Sequence, residues 1–418
     1  MPNDSRRVAV IAGCRTPFCK AGTALKDARA VDLARHATRE LVERTNLDPR
    51  AVNEVIFGQV VPSALIPNVA REVSLLPQFP KEIPAYSLNR ACASAGQAVT
   101  NAADQIALGH ADVIIAGGVE LLSDIPILAS RRLSDILVTA SKAKSLAARV
   151  ATFAKLRPRD FIPVSPAIAE PSTGESMGQS AEKMAKENGI AREAQDRWAL
   201  RSHQLAAAGT ADGRLTAEIV PWFGVRADAP PTVSDNGIRT DTTLEQMAKL
   251  KPVFDRRYGS VTAANSSPLT DGASAVLLMS EDAARAHGYT PLAYIRSYAV
   301  AAVDPGWQLL QGPVWAVPKA LERAGIQWKD LGLLEVHEAF AAQVLSNFKG
   351  WSEKGWAIDE SIINVMGGSI AIGHPFGATG GRLVTTLANE MQRRDVQFGL
   401  LSICAQGGMA FALVLERR

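Results

Sequence analysis

Short β-branched runs alternate with amphipathic helical stretches along most of this chain, and that alternation restricts the fold more than any other feature. Val8 to Ile11 is a first strand, and Ala30 to Thr45 reads as a helix with Leu33, Ala37 and Leu41 on one side. Val55 to Gln59 is a second strand. Cys92 to Leu108 reads as an Ala-rich helix, and Asp112 to Ala116 (DVIIA) as a buried strand ending in Gly117-Gly118. Towards the C-terminus, Pro318 to Ala324 and Arg382 to Gln392 read as helices. Leu333 to Val336 and Ile362 to Val365 read as strands, and Leu400 to Ile403 with Ala410 to Leu415 as a strand pair. Strands that alternate with helices are joined by crossovers, so the fold class is α/β. Each end of the chain carries a strand, a small-residue turn, a long helix and a further buried strand. Two similar halves packed together are therefore expected.

Between them, residues 124–250 change character. Ser130 to Phe161 is rich in Arg and Lys with an apolar interleaf, and a helical stretch with Met184, Trp198 and Leu205 follows. This span reads as an insertion. The expected division is 1–123 with 251–279 as the first half, 124–250 as an inserted loop domain, and 280–418 as the second half.

Composition narrows the class. The 418 residues are 47% hydrophobic and 21% charged, which suits a globular protein with a large core. A net charge of +3 is too small to argue for nucleic acid. The four cysteines, Cys14, Cys19, Cys92 and Cys404, form neither a disulfide framework nor a zinc spacing, so a reducing, cytoplasmic setting is expected. The opening MPNDSRRVAVIAG does not read as a secretory leader, no apolar run approaches a membrane span, and LERR is no peroxisomal address.

Four stretches carry chemistry. In NRACASAGQAV, Cys92 opens a helix among small neighbours. A helix N-terminus is expected to lower its pKa and favour the nucleophilic thiolate, against the alternative of a packed structural cysteine. In NVMGGSIAIGHPFGATGGR, His374 lies in a glycine-rich loop that lets the backbone approach closely and fixes an imidazole as a base for a thiol; the spacing does not fit a phosphate loop. In SICAQGGMA, Cys404 ends a strand before a Gly-Gly turn. In EVHEAFAAQ, His337 sits between strand and helix and could donate to an oxyanion; with no second His four residues on, a metal is not expected. All four stretches fall at strand ends, where ligands of α/β sheets bind.

With CRTPF, AGGVELLSD, MGQSAEKMA and NSSPLTDGASAV, these stretches resemble the thiolase family over essentially the whole chain. HEAF and QLLQGPVWAVPKAL are similar to the thiolase subunit of fatty-acid oxidation trifunctional complexes. The resemblance implies duplicated βαβαβαββ halves in an α-β-α-β-α arrangement with an inserted loop domain. It implies that Cys92 attacks a 3-ketoacyl-CoA, that His374 takes its proton, and that Cys404 is the general acid and base, its pKa tuned towards neutral. His337 with a water, together with His374, would form one oxyanion hole; the backbone N–H groups of Cys92 and Gln406 would form the other. Ser267 and Met177 match positions along the pantetheine path.

No permanently bound cofactor is implied; coenzyme A is the co-substrate. Implied partners are further copies of the chain, in a dimer or tetramer, and a hydratase/dehydrogenase α-subunit. The basic stretch 141–159 would touch that subunit or a membrane, or form a solvated surface. The rivals are a biosynthetic acetoacetyl-CoA thiolase, a ketoacyl synthase, and a non-catalytic acyl-CoA carrier. Three departures stand out: Ser94-Ala95-Gly96 after the nucleophile, Gln406 where glycine is common, and Pro268 after Ser267.

Overall fold

The computed structural model describes residues 6–164, 169–224 and 230–418. The chain separates into two compact units, Met1–Ser123 with Ala169–Arg418, and Asp124–Ile168.

The larger unit begins with β1 (Val8–Arg15), β2 (Cys19–Lys20), α1 (Ala30–Thr45), β3 (Glu54–Gly58), α2 (Val69–Ser74), β4 (Ala85–Leu88), α3 (Ser94–Ala107) and β5 (Val113–Glu120). The smaller unit holds α4 (Arg131–Ser141) and α5 (Leu146–Phe153). The larger unit resumes with α6 (Met177–Asn188), α7 (Arg192–Ala211), α8 (Arg214–Glu218), α9 (Leu244–Ala248), β6 (Thr270–Ser280), α10 (Glu281–Ala286), β7 (Ala293–Ala302), α11 (Pro313–Ala324), β8 (Leu333–Val336), α12 (Ala341–Ser352), α13 (Ser369–Ile372), α14 (Thr379–Arg393), β9 (Phe398–Ala405) and β10 (Met409–Glu416). Residues 169–250 thus group with the larger unit.

The strands run in the order β4-β3-β5-β6-β1-β7-β10-β9-β8, with β2 beside β6. Only two residue pairs, Ala9 with Tyr294 and Val10 with Ala293, join β1 to β7. That junction divides the sheet into two halves with the same strand order. Reading outward from it, β1-β6-β5-β3-β4 is repeated by β7-β10-β9-β8 and then by a single parallel bridge between Leu334 and Ile363. The expected strand at Ile362 to Val365 is therefore reduced to that bridge. Asn364 takes a left-handed φ of 47°, which turns the backbone out of the sheet. Its side-chain amide then replaces the missing strand: Oδ1 accepts from Val336 N–H at 2.7 Å and Nδ2 donates to the Val336 carbonyl at 2.8 Å.

Period-two burial makes the layers. On β6, Val276 and Leu278 face one core while Ala275, Leu277 and Met279 face another; on β10, Phe411 and Leu413 alternate with Ala412 and Val414 in the same way. α3 and α14 lie in the core between the two halves. α1 and α2 cover the outer face of the first half, and α11 and α12 that of the second. The two central helices approach closely because their contact is made of glycine: a Cβ on Gly380 would lie 2.3 Å from the backbone nitrogen of Gly96.

In the smaller unit, Asp160 is the anchor. Its carboxylate accepts from Arg132 Nε at 3.1 Å, and its carbonyl accepts from the Ser130 hydroxyl, which caps α4. No residue of α5 is buried; Leu146 and Val150 are exposed. Among the described residues, no helix is long and apolar enough to cross a membrane.

Candidate active site

The nucleophile candidate sits on a short turn after β4. The Asn89 carboxamide accepts from Ala91 N–H at 2.8 Å and donates to the Val60 carbonyl at 3.1 Å. Ser94 Oγ accepts from Arg90 N–H and donates to the Ala91 carbonyl at 2.6 Å. Between these clamps Ala91 adopts φ 45°, a strained conformation for alanine. Cys92 follows at once, two residues before α3 starts at Ser94 rather than as the first residue of the helix.

That offset corrects the expected electrostatics. Burial pushes the Cys92 thiol up to about 12, and it outweighs the backbone N–H groups of Gln406 and Cys92 itself, which face the sulfur and lower the value. Cys404, near the end of β9, is also pushed well above its ordinary value, first by burial and then by Cys92. It is not tuned towards neutral. Both sulfurs carry their protons at neutral pH.

The two histidines come from the second half. His337 follows β8 directly, its N–H bonded to the Ser402 carbonyl at 2.8 Å. Its neighbour Glu338 is buried and accepts from Trp198 Nε1, Ser202 Oγ, Asn364 Nδ2 and Ile370 N–H. His374 follows Gly373, whose φ of 113° excludes a side chain, and its N–H donates to Thr270 Oγ1 at 3.0 Å. The two rings lie 4.1 Å apart, centroid to centroid. Burial, and secondarily Arg382, holds His374 down to about 3; burial, His374 and Arg382 hold His337 well below its ordinary value. Both imidazoles are neutral. In each, Nδ1 is bonded, to Ser369 Oγ for His337 and to Thr379 Oγ1 for His374. Both Nε2 atoms are buried without a partner among the described residues.

The Cys92 sulfur and one ring nitrogen of each histidine lie within 4.8 Å of one another. A protonated thiol beside neutral imidazoles can pass its proton to a ring nitrogen, and the resulting N–H groups can stabilise an oxyanion. The donor set is also of the type that ligates zinc.

Around this centre the other expected residues take separate places. The Gln406 side chain donates to the Ala169 carbonyl at 2.8 Å, and Gly407 N–H donates to Glu170 at 2.9 Å, so the turn after Cys404 is pinned from both residues. Ser267 N–H bonds the Ala339 carbonyl at 2.9 Å, which ties its segment to the HEAF loop. Met177, half-buried at the start of α6, packs against the apolar cluster that contains Cys404. Sequence reasoning passed over Glu120, Glu335, Ser369, Thr379 and Arg382. Glu120 accepts from Val60, Val61 and Gly377 N–H, joining the loop beside Cys92 to the loop of His374. Ser369, Thr379 and Arg382 stood inside a quoted motif, but nothing in one dimension marks which hydroxyl meets which imidazole.

The chain matches known proteins along nearly its whole length. Residues 8–282 match the thiolase N-terminal domain and residues 289–417 the thiolase C-terminal domain, so the chain belongs to the thiolase family. It is 47% identical to the 3-ketoacyl-CoA thiolase of Cronobacter sakazakii, over 98% of this chain and 97% of that one; the Shewanella amazonensis 3-ketoacyl-CoA thiolase matches at the same level. Among solved structures, the Bacillus anthracis acetyl-CoA acetyltransferase superposes with a TM-score of 0.88 at 35% identity, over the full length of both chains. Human mitochondrial 3-ketoacyl-CoA thiolase superposes with a TM-score of 0.85 at 35% identity, over 99% of each.

Proposed function

We propose that this thiolase cleaves 3-ketoacyl-CoA with coenzyme A, yielding acetyl-CoA and a shortened acyl-CoA, as in fatty-acid β-oxidation. The observation that carries the reading is the convergence of Cys92 with two neutral imidazoles whose Nε2 atoms have no partner among the described residues, beside a second thiol. The names of the relatives at 47% identity support the degradative substrate over the short-chain biosynthetic rival.

The proton count closes with these groups. The Cys92 thiol gives its proton to His374 Nε2 as the sulfur attacks C3 of the ketoacyl group. The C3 oxyanion takes N–H bonds from the backbones of Cys92 and Gln406, both of which face that sulfur. Collapse breaks the C2–C3 bond. The electron pair leaves as the acetyl-CoA enolate, whose oxygen is met by the two histidines, and Cys404 protonates its carbon. Coenzyme A then gives its thiol proton to the Cys404 thiolate and attacks the acyl-Cys92 thioester. The shortened acyl-CoA departs, and Cys92 recovers its proton from His374. This is two-step covalent catalysis. Met177 and Ser267 would line the approach of the pantetheine arm.

The test is thiolysis of 3-ketoacyl-CoA substrates from short to long chains, with Cys92→Ala as control. The variant is expected to lose activity by roughly 10⁴-fold or more, as removal of a covalent nucleophile does. Turnover by Cys92→Ala at the parent rate rejects the assignment, and activity confined to acetoacetyl-CoA favours the biosynthetic reading.

Self-association and a hydratase/dehydrogenase α-subunit are part of the same proposal. So is peripheral contact with an anionic membrane through 141–159. There α5 has no buried residue, and Leu146, Val150 and Phe153 are interleaved with Lys142, Lys144, Arg149, Lys155, Arg157 and Arg159. Flotation with anionic liposomes at low salt is expected to carry the protein upward; recovery only in the soluble fraction rejects membrane contact.

A further inference from the structure

We propose that Ser369 and Thr379 hold the two active-site imidazoles in opposite tautomers, so that His337 presents an Nε2–H donor and His374 a bare Nε2 acceptor. The catalytic consequence rests on the thiolytic reading of the site; the tautomers themselves do not.

Arg382 is fully buried. Its guanidinium has no acceptor atom. Nη1 donates to Glu335 at 3.1 Å and Nη2 donates to Ser369 Oγ at 3.0 Å. Ser369 Oγ is therefore already an acceptor, and its single hydroxyl proton needs a place to go. Among the described residues, the acceptor within reach is His337 Nδ1, at 3.0 Å. A hydroxyl that accepts from a cation is polarised into a better donor, which favours that direction. A hydroxyl that donates to Nδ1 leaves the ring proton on Nε2, and this Nε2 is the atom without a partner at the centre of the site.

At His374 the neighbouring hydroxyl is spent the other way. Thr379 Oγ1 donates to the Pro375 carbonyl at 3.0 Å, one turn back along the chain. It can then only accept from the ring, and the 2.6 Å contact is His374 Nδ1–H donating to Thr379. The ring proton is on Nδ1, and Nε2 keeps its lone pair.

The division of labour follows. With two bare Nε2 atoms, the Cys92 proton could go to either ring. With two Nε2–H groups, it could go to neither. Opposite tautomers send it to His374 alone. Once His374 Nε2 has received it, both rings present N–H groups to the same oxygen without further rearrangement. Ser369, Arg382 and Glu335 act through His337, and Thr379 acts through His374. They are positioning residues.

The experiment is long-range proton–nitrogen correlation on the full-length protein labelled with nitrogen-15 histidine. Only six histidines are present, and the two signals are assigned by their loss in His337→Asn and His374→Asn. The parent protein is expected to show His337 with its proton on Nε2 and His374 with its proton on Nδ1. Ser369→Ala is expected to move His337 towards the Nδ1–H form and to leave His374 unchanged. Its kcat should fall by about 10-fold or more, towards the roughly 10²- to 10³-fold that loss of an oxyanion donor brings, with KM little altered. Ser369→Thr, which keeps the hydroxyl, should restore both pattern and rate. Thr379→Val should move His374 only. Two imidazoles in the same tautomer in the parent protein overturn the proposal, and so does a His337 pattern unaffected by Ser369→Ala. Opposite tautomers in a protein that fails to cleave 3-ketoacyl-CoA would leave this assignment standing and remove the thiolytic reading instead.

Discussion

The edge of the first half and the edge of the second do different work from the same place in the fold. In the first, β4 pairs with β3 through four successive residues, Ala85 to Leu88, and then hands the chain to Cys92 and α3. In the second, pairing with β8 stops after one bridge at Ile363. The segment Asn364 to Gly368 then leads to α13, His374 and α14. The first half spends its edge on a regular ladder and delivers one sulfur. The second gives up the ladder, and Asn364, Ser369 and Glu338 occupy the space with side-chain hydrogen bonds, one of which holds the His337 imidazole. A duplicated framework thus fixes where two helices begin, and departure from strand pairing at one edge makes room for the acid–base groups.

The largest expected difference between the edges lies at Asn364. Its amide satisfies both backbone groups of Val336 and one oxygen of Glu338, all in the interior. Asn364→Ala leaves the two Val336 groups buried and unpaired and removes one of the donors to Glu338, and a loss of about 3–5 kcal/mol in unfolding free energy is expected. On the regular edge, Ser87 of β4 makes side-chain bonds to Asn68 and Ala70, yet the ladder itself is backbone. Ser87→Ala should cost about 1 kcal/mol. Denaturant unfolding of both variants measures the contrast. Equal losses would mean that Asn364 is an ordinary loop residue and that the second edge needs no side-chain substitute for a strand.

This contrast also explains what could be read in one dimension. The regular elements were legible: Ala30–Thr45 and Leu333–Val336 fall where periodicity and β-branching put them. Ile362 to Val365 has the composition of a strand, and only the left-handed φ at Asn364, a tertiary choice, removes it. The four chemical positions could be found because Cys92, His337 and Cys404 stand at or just after strand ends and His374 in a glycine-rich loop. Their protonation could not. Helix proximity argued for an acidic Cys92, but burial wins, since desolvation acts on the whole thiol while α3 starts two residues later. The Glu335–Arg382–Ser369 relay was invisible because it joins β8, α14 and α13, whose proximity is a property of the sheet order.

A second contrast is one of pH dependence. His374 titrates near 6.5 when unfolded and is held to about 3 in the fold. Between those values the unfolded chain binds a proton that the folded chain refuses, so stability rises with pH. The contribution is complete above 6.5 and is lost as pH falls towards 3. Cys92 works in the other direction. Its thiol ionises near 9.0 when unfolded and is pushed up to about 12 in the fold, so the folded chain keeps a proton that the unfolded chain releases. That contribution is present below 9.0 and is lost as pH rises towards 12. His374 thus contributes to an acid arm and Cys92 to an alkaline arm. Other buried groups tilt both arms, among them Glu120, raised to about 7 by burial, and those that do not face His374 or Cys92 are common to parent and variants. The informative quantity is therefore a difference in unfolding free energy. Relative to the parent, His374→Asn should lose about 2 kcal/mol less as pH falls from 6.5 to about 4.5. Cys92→Ala should lose about 2 kcal/mol less as pH rises from 9.0 to about 10.5. Denaturant titrations across pH measure both arms. If Cys92→Ala flattened the acid arm as well, the sulfur and the imidazole would be titrating as one ion pair, and the resting site would hold a thiolate beside an imidazolium rather than two neutral groups.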